Sequence, residues 1–95
     1  MMKYVVLGNW TDQGRKNIED IKKRVDMSRK LVEEKNGSMS LCYTMGEYDF
    51  VSIVDMPDEE SMVKTLMKLN TMNLFTTKTL RAWTSDEFVN MISEL

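Results

Sequence analysis

An α+β domain, a sheet with helices laid on one side, is what this sequence predicts, and three observations predict it. Short stretches rich in Tyr, Val, Leu and Ile alternate with two longer segments whose apolar residues recur at helical spacing. Turn and cap signals separate them: Asn36-Gly37, Gly46-Glu47, Pro57-Asp58 and Thr84-Ser85-Asp86-Glu87. The length, 95 residues, suits a single domain spanning residues 1–95.

The first strand is expected over residues 3–10, with Gly8 as a bulge or a point of close approach. Thr11 or Asp12 then caps a helix whose inner face is Ile18, Ile21, Val25, Leu31 and Val32. Glu19, Asp20, Lys22, Lys23, Arg24, Arg29, Lys30, Glu33 and Glu34 are expected on its wet side. Asn36-Gly37 should end it, because glycine readily takes the left-handed conformation of a helix terminus. Residues 38–45 alternate Met39, Leu41, Tyr43 and Met45 against Ser40, Cys42 and Thr44, a strand with one drier face.

Gly46-Glu47 suits a tight two-residue hairpin with glycine first, leading to a third strand over residues 48–56. Pro57 stops that strand, and Asp58 caps a second helix with Met62, Val63, Leu66, Met67 and Leu69 as its apolar stripe. The fourth strand is expected over residues 76–84. The capping box Thr84-x-x-Glu87 then opens a short terminal helix with Phe88, Met91, Ile92 and Leu95 as its anchoring face.

The order βαββαβ plus a C-terminal helix is the ferredoxin-like pattern. Right-handed crossovers give the strand order 4-1-3-2 with both long helices on one face. Both faces of the central strands are apolar: Val5, Leu7, Val51 and Ile53 on one alternation, Tyr4, Val6, Phe50 and Val54 on the other. A chain this short buries only about two thirds of its unfolded surface. The helix-free face therefore needs a cover, and a homo-oligomer, at least a dimer, is expected. Tyr4, Tyr48 and Phe50 are expected to meet the second subunit, Tyr48 and Phe50 sharing an alternation.

The motif Gly46-Glu47-Tyr48-Asp49, the opening run Tyr4-Val5-Val6-Leu7-Gly8-Asn9-Trp10-Thr11-Asp12-Gln13-Gly14 and the later Thr77-Lys78-Thr79-Leu80-Arg81-Ala82-Trp83-Thr84 together resemble the GYD family of small bacterial and archaeal proteins. The resemblance covers nearly the whole chain. It implies two sheets packed face to face, a dimeric α/β barrel assembly, and it implies no particular activity.

Thirteen Lys and Arg against 15 Asp and Glu give a net charge of −2, no electrostatic footprint for DNA or RNA. The RNA-binding domains that share this topology stack bases on aromatic residues of the central strands, and Tyr4, Tyr48 and Phe50 could imitate them. The basic, glycine-rich signature of those domains is missing. Histidine is absent, which removes the commonest metal ligand and the usual proton shuttle near neutral pH. No metal and no cofactor are expected. No run approaches the roughly 20 apolar residues of a membrane span, and the lone Cys42 can form no internal disulfide, so a cytoplasmic protein is expected.

Topology gathers polar groups at one edge, where the first strand ends and the third and fourth begin. Asn9, Thr11, Gln13, Tyr48, Asp49, Thr76, Thr77, Lys78 and Thr79 come from there. Candidate ligand-binding residues are Asn9, Thr11, Tyr48, Asp49, Thr79 and Arg81. Asp49 has two readings: a functional carboxylate, or an acceptor of amides or partner of Lys78 or Arg81. Tyr48 could donate its hydroxyl or pack its ring. Arg81 could grip an anion with its planar fork or guard an edge strand. Trp10 and Trp83 could wall a pocket or serve the core. Cys42, with no histidine to activate it, reads as a small buried filler. Ten methionines suit an adaptable binding surface or ordinary packing.

Three functions follow from these residues. One is a small-molecule-binding or sensing module that oligomerises through its sheet. The second is a cofactor-independent enzyme using Asp49 and Tyr48 for mild acid-base chemistry. The third is a purely structural oligomerisation domain.

Overall fold

The computed structural model describes every residue except 94. Strand β1 (Met2–Trp10) is followed by a short helix α1 (Asp12–Lys16), a 3₁₀ turn (Ile18–Asp20) and helix α2 (Ile21–Glu34). Strands β2 (Ser38–Tyr43) and β3 (Phe50–Met56), helix α3 (Glu59–Asn70), strand β4 (Phe75–Ala82) and helix α4 (Ser85–Ile92) complete the chain. The sheet order is β2-β3-β1-β4, antiparallel between all neighbours, which is the expected ferredoxin-like topology.

The register sorts the strand residues into two rows. Tyr4 lies opposite Val54 and Arg81, Val6 opposite Ser52 and Thr79, and Gly8 opposite Phe50 and Thr77. This row faces the helices. Tyr4, Val6, Val54 and Met56 join Val32 of α2 and Met62 of α3 in the buried core. The alternate row, Val5, Leu7, Val51, Ile53 and Leu80, forms the face that none of the described helices covers; Ile53 is 42% exposed and Leu80 52%.

Several local expectations are corrected. Neither Tyr4 nor Phe50 faces outward to a second subunit: Tyr4 is in the core beneath the helices. Phe50 is also buried on the helix side, and the pairing of Phe50 with Gly8 explains those two residues, since a β-carbon on Gly8 would come within 2.0 Å of the Phe50 ring. Gly8 is thus a close-approach point inside an unbroken register. The two-residue hairpin is replaced by a wider loop, residues 44–49, closed where the Thr44 N–H donates to the Asp49 carbonyl at 2.8 Å. Gly46 keeps its role, with φ of +106° that glycine alone takes without strain. Strand β3 accordingly starts at Phe50, and β4 runs from Phe75 to Ala82.

The first helix is broken rather than continuous. Thr11 caps α1 through the Gly14 N–H (3.1 Å), the 3₁₀ turn redirects the chain, and Ile18 is left exposed. Helix α2 ends at Glu34, and just past its cap Asn36, not Gly37, takes the left-handed conformation (φ 62°). The Asn36 and Gly37 N–H groups donate to the carbonyls of Glu33 and Val32, the paired bonds of a Schellman motif. Asp58 caps α3 as expected, accepting the Ser61 N–H at 2.7 Å, but Val63 and Met67 face solvent while Thr65 is buried with Met62. Arg24, expected on the wet side, is buried, and Cys42, expected as a filler, is exposed.

Helix α4 has its capping box, the Thr84 N–H donating to Glu87 and the Glu87 N–H to Thr84. None of its residues is buried, so Phe88, Val89, Met91 and Ile92 present an apolar face without a cover in the single chain. No helix among the described residues is long and apolar enough to cross a membrane.

Candidate functional site

The edge where β1 ends brings together Asn9 and Asp49. Asp49 continues the β1–β3 pairing, its N–H donating to the Gly8 carbonyl at 2.8 Å. Its carboxylate Oδ2 accepts the Trp10 N–H at 2.9 Å and an Asn9 Nδ2 hydrogen at 3.5 Å. Asn9 also donates to the Glu47 carbonyl at 2.8 Å. These bonds tie the 44–49 loop to β1. They are the amide-accepting arrangement among the readings of Asp49.

The other candidates are distributed. Thr11 is occupied at both ends of its hydroxyl, accepting the Gly14 N–H and donating to the Asn73 carbonyl at 2.8 Å. Tyr48 leaves the Asp49 carboxylate and lies beside Lys78, whose ammonium stands 5.8 Å from its ring; Lys78 belongs to the open face of the sheet. Thr79 and Arg81 belong to the helix side, further along β4, around a shallow hollow shared with Tyr4, Glu59 and Leu66. Arg81 lies over the rings of Trp83 (4.7 Å) and Tyr4 (5.6 Å) and donates to the Lys3 carbonyl at 3.0 Å. Burial raises the Tyr4 hydroxyl pKa, with Glu59 adding to the rise and Arg81 opposing it.

An apolar concavity lies elsewhere, between the helices and the covered face of the sheet. It is a cavity of about 80 Å³, partly open to solvent, walled almost wholly by apolar groups. Its end wall is aromatic. Trp10 stacks on Tyr43 at 5.8 Å and meets Phe50 at 5.4 Å, and Phe50 meets Phe75 edge-on at 5.5 Å. Such tilted and offset pairs suit the quadrupoles of the rings. Helix α3 supplies Met62, Leu66 and Leu69, and α2 supplies Arg24, Val25 and Ser28.

Three polar side chains within the cavity wall are buried: Arg24, Ser52 and Thr65, the last donating its hydroxyl hydrogen to the Ser61 carbonyl at 2.9 Å. Arg24, 7% exposed, donates from Nη1 to the Gly14 carbonyl at 3.0 Å and from Nη2 to the Asn17 carbonyl, and its guanidinium lies 5.9 Å from the centre of the Trp10 ring. No carboxylate pairs with it among the described residues. Ser52, 6% exposed on β3, has no hydrogen-bond partner for its hydroxyl among the described residues. At the rim, burial raises the Tyr43 hydroxyl pKa while the Arg24 charge opposes the rise.

Sequence reasoning passed over this cavity, yet it left a trace. The inward stripe of α2 runs Ile21, Arg24-Val25, Ser28, Leu31-Val32, so Arg24 and Ser28 occupy core spacings that the apolar count skipped. Ser52 likewise interrupts the inward row Phe50, Val54, Met56. A polar residue at an inward position is a more informative observation than an exposed apolar one.

The sequence pattern of the GYD domain spans residues 4–92, nearly the full chain. The chain belongs to the GYD family. No protein of curated function matches it. Solved structures similar to this GYD domain include FFRP-DM1, at 19% identity over 87% of this chain and 100% of that one, with a TM-score of 0.62. The protein At3g17210 of Arabidopsis thaliana is 11% identical over 88% of this chain and 97% of its own, with a TM-score of 0.61. TTHA0845 of Thermus thermophilus is 20% identical over 90% of this chain and 96% of its own, with a TM-score of 0.58. At these identities the likeness is one of fold.

Proposed function

We propose that this GYD-family chain is a single-domain small-molecule-binding or sensing module that works as a homo-oligomer, in the cytoplasm. The observation that carries this reading is the division of the sheet. Its helix-covered face encloses a partly open apolar cavity with a few buried polar groups, the composition of small-ligand sites. Its other face carries the contiguous row Val5, Leu7, Val51, Ile53 and Leu80, an apolar patch of the kind that marks an interaction surface.

A second copy of the same chain is the occupant that fits the open face. The row is flanked by the Lys3–Asp55 ion pair at 3.0 Å and by the Tyr48–Lys78 contact, and β4 continues into the uncovered apolar side of α4. Two uncovered apolar surfaces on one short chain suit a two-fold interface in which each protomer supplies both. The GYD motif then lies at the rim of that interface. Asp49, spending Oδ2 on Trp10 and Asn9, supports a binding module over an acid-base enzyme.

Thermal melting against a panel of small organic compounds tests the binding role. Compounds that use the cavity should raise the melting temperature of the wild type and leave Val25→Phe, which fills the cavity wall, unshifted. A panel that shifts neither protein, or shifts both alike, would contradict it.

A further inference from the structure

We infer that the cavity between the sheet and the helices selects a small apolar or aromatic monocarboxylate, its ring against the Trp10–Phe50–Phe75 wall and its carboxylate taken by Arg24 and Ser52. This rests on the reading of the cavity as a ligand site and specifies its ligand.

Charge is the first argument. A buried guanidinium is costly unless an opposite charge compensates it, and Arg24 has only neutral carbonyls and the Trp10 ring around its known contacts. The two carbonyl bonds hold its plane in place without neutralising it. Two of its five N–H donors are spent in this way, which leaves others for an anion. A carboxylate matches the planar fork of the guanidinium better than any neutral acceptor does.

The second argument is independent and comes from Ser52. A buried hydroxyl without a partner costs free energy that a bound polar group would recover. Ser52 sits in the inward row of β3 and lines the same cavity as Arg24. It can donate to a carboxylate oxygen, so a charged and a neutral donor face one space.

Size and polarity then restrict the ligand. A cavity of about 80 Å³ holds about two or three waters and is about half the size of an apolar cavity that encloses benzene, so the ligand is no larger than one ring and part of it stays in the opening. The walls are otherwise apolar, and one cationic side chain cannot compensate a polyanion. Nucleotides and sugar phosphates are excluded by both criteria. The half-buried Val25, Ser28, Leu66 and Leu69 border the space between α2 and α3, which make little contact with each other, and this gives a small acid a way in.

Calorimetry and Trp fluorescence at neutral pH test the inference, with benzoate, benzyl alcohol, acetate and inorganic phosphate as probes. Benzoate should bind at least about tenfold more tightly than benzyl alcohol, its uncharged counterpart, and more tightly than acetate, which lacks the ring; phosphate should not bind. Ser52→Ala should weaken benzoate roughly three- to tenfold, the worth of one hydrogen bond, and leave benzyl alcohol less affected. Arg24→Lys should weaken it further. If Arg24 variants fail to fold, the Ser52→Ala result decides. Benzyl alcohol binding as well as benzoate would overturn the carboxylate assignment and leave the cavity as a binding site. Benzoate binding unchanged in Ser52→Ala would also overturn it, placing the head group elsewhere. A protein that takes up none of these probes while other compounds pass the Val25→Phe test would refute the ligand class alone, whereas failure in both experiments would refute the ligand site itself.

Discussion

The two faces of the sheet come from the same strands, one residue out of step, and they end in opposite conditions. On one, Tyr4, Val6, Val54 and Met56 are sealed by α2 and α3; on the other, Val5, Leu7, Val51, Ile53 and Leu80 remain in contact with solvent. Side-chain composition hardly separates them. The covered row even includes Ser52 and takes Arg24 from α2, while the open face is aliphatic at Val5, Leu7, Val51, Ile53 and Leu80 with Lys3, Asp55 and Lys78 beside them. The uncovered apolar face supports the proposed pairing with a second copy, and the buried Arg24 and the unpartnered Ser52 hydroxyl support the proposed ligand site.

Neighbouring substitutions sharpen this contrast. Met56 is fully buried, so Met56→Ala should cost about 2–5 kcal/mol in urea denaturation, whereas Ile53→Ala, three positions earlier on the open face, should leave the stability of an isolated protomer within about 0.5 kcal/mol. Equal losses at both sites would break the distinction between the faces. Gly8→Ala should cost about 1–3 kcal/mol by pressing a methyl group into the Phe50 ring, with the same denaturation readout.

Asp49→Ala probes the GYD motif. Removing the acceptor of the Trp10 N–H should cost about 1–3 kcal/mol and speed hydrogen exchange at Trp10, with no change in ligand binding by the cavity. A stable variant that loses ligand binding would place the site at the motif instead.

The smallest expected effect is an acid one, at the helix ends. The Ser61 N–H holds the Asp58 carboxyl, and the Thr84 N–H the Glu87 carboxyl, below the usual carboxylate range. Each folded pKa lies under its unfolded value. Their stabilisation is therefore complete above the unfolded value and is lost as pH falls through the folded one. Helical circular dichroism should fray over that window in the wild type and less so in Asp58→Asn, which keeps a capping oxygen without titrating.

Fold-level features were legible because they rest on period and local chemistry. Strand alternation, the Asp58 cap and the Thr84–Glu87 box each need only a few neighbouring residues to be seen. What the sequence hid depends on contacts between distant segments. Phe50 looked outward until its pairing with Gly8 fixed the register, and Arg24 looked solvated until the turn at Ile18–Asp20 carried it under the carbonyls of Gly14 and Asn17. The candidate residues at the β1 edge were gathered correctly as to place for Asn9 and Asp49, while Thr79 and Arg81, separated from them by the pleat and by several residues of β4, point to the helix side.

The covering of the open face by a second copy is tested most directly by sedimentation velocity on the wild type and on Ile53→Glu across a range of concentrations. The account predicts a wild type of twice the protomer mass or more, and an Ile53→Glu protein that sediments as a folded monomer, because a charge in the middle of that apolar row cannot be buried unpaired. A monomeric wild type, or an Ile53→Glu variant with the same mass as the wild type, would contradict it.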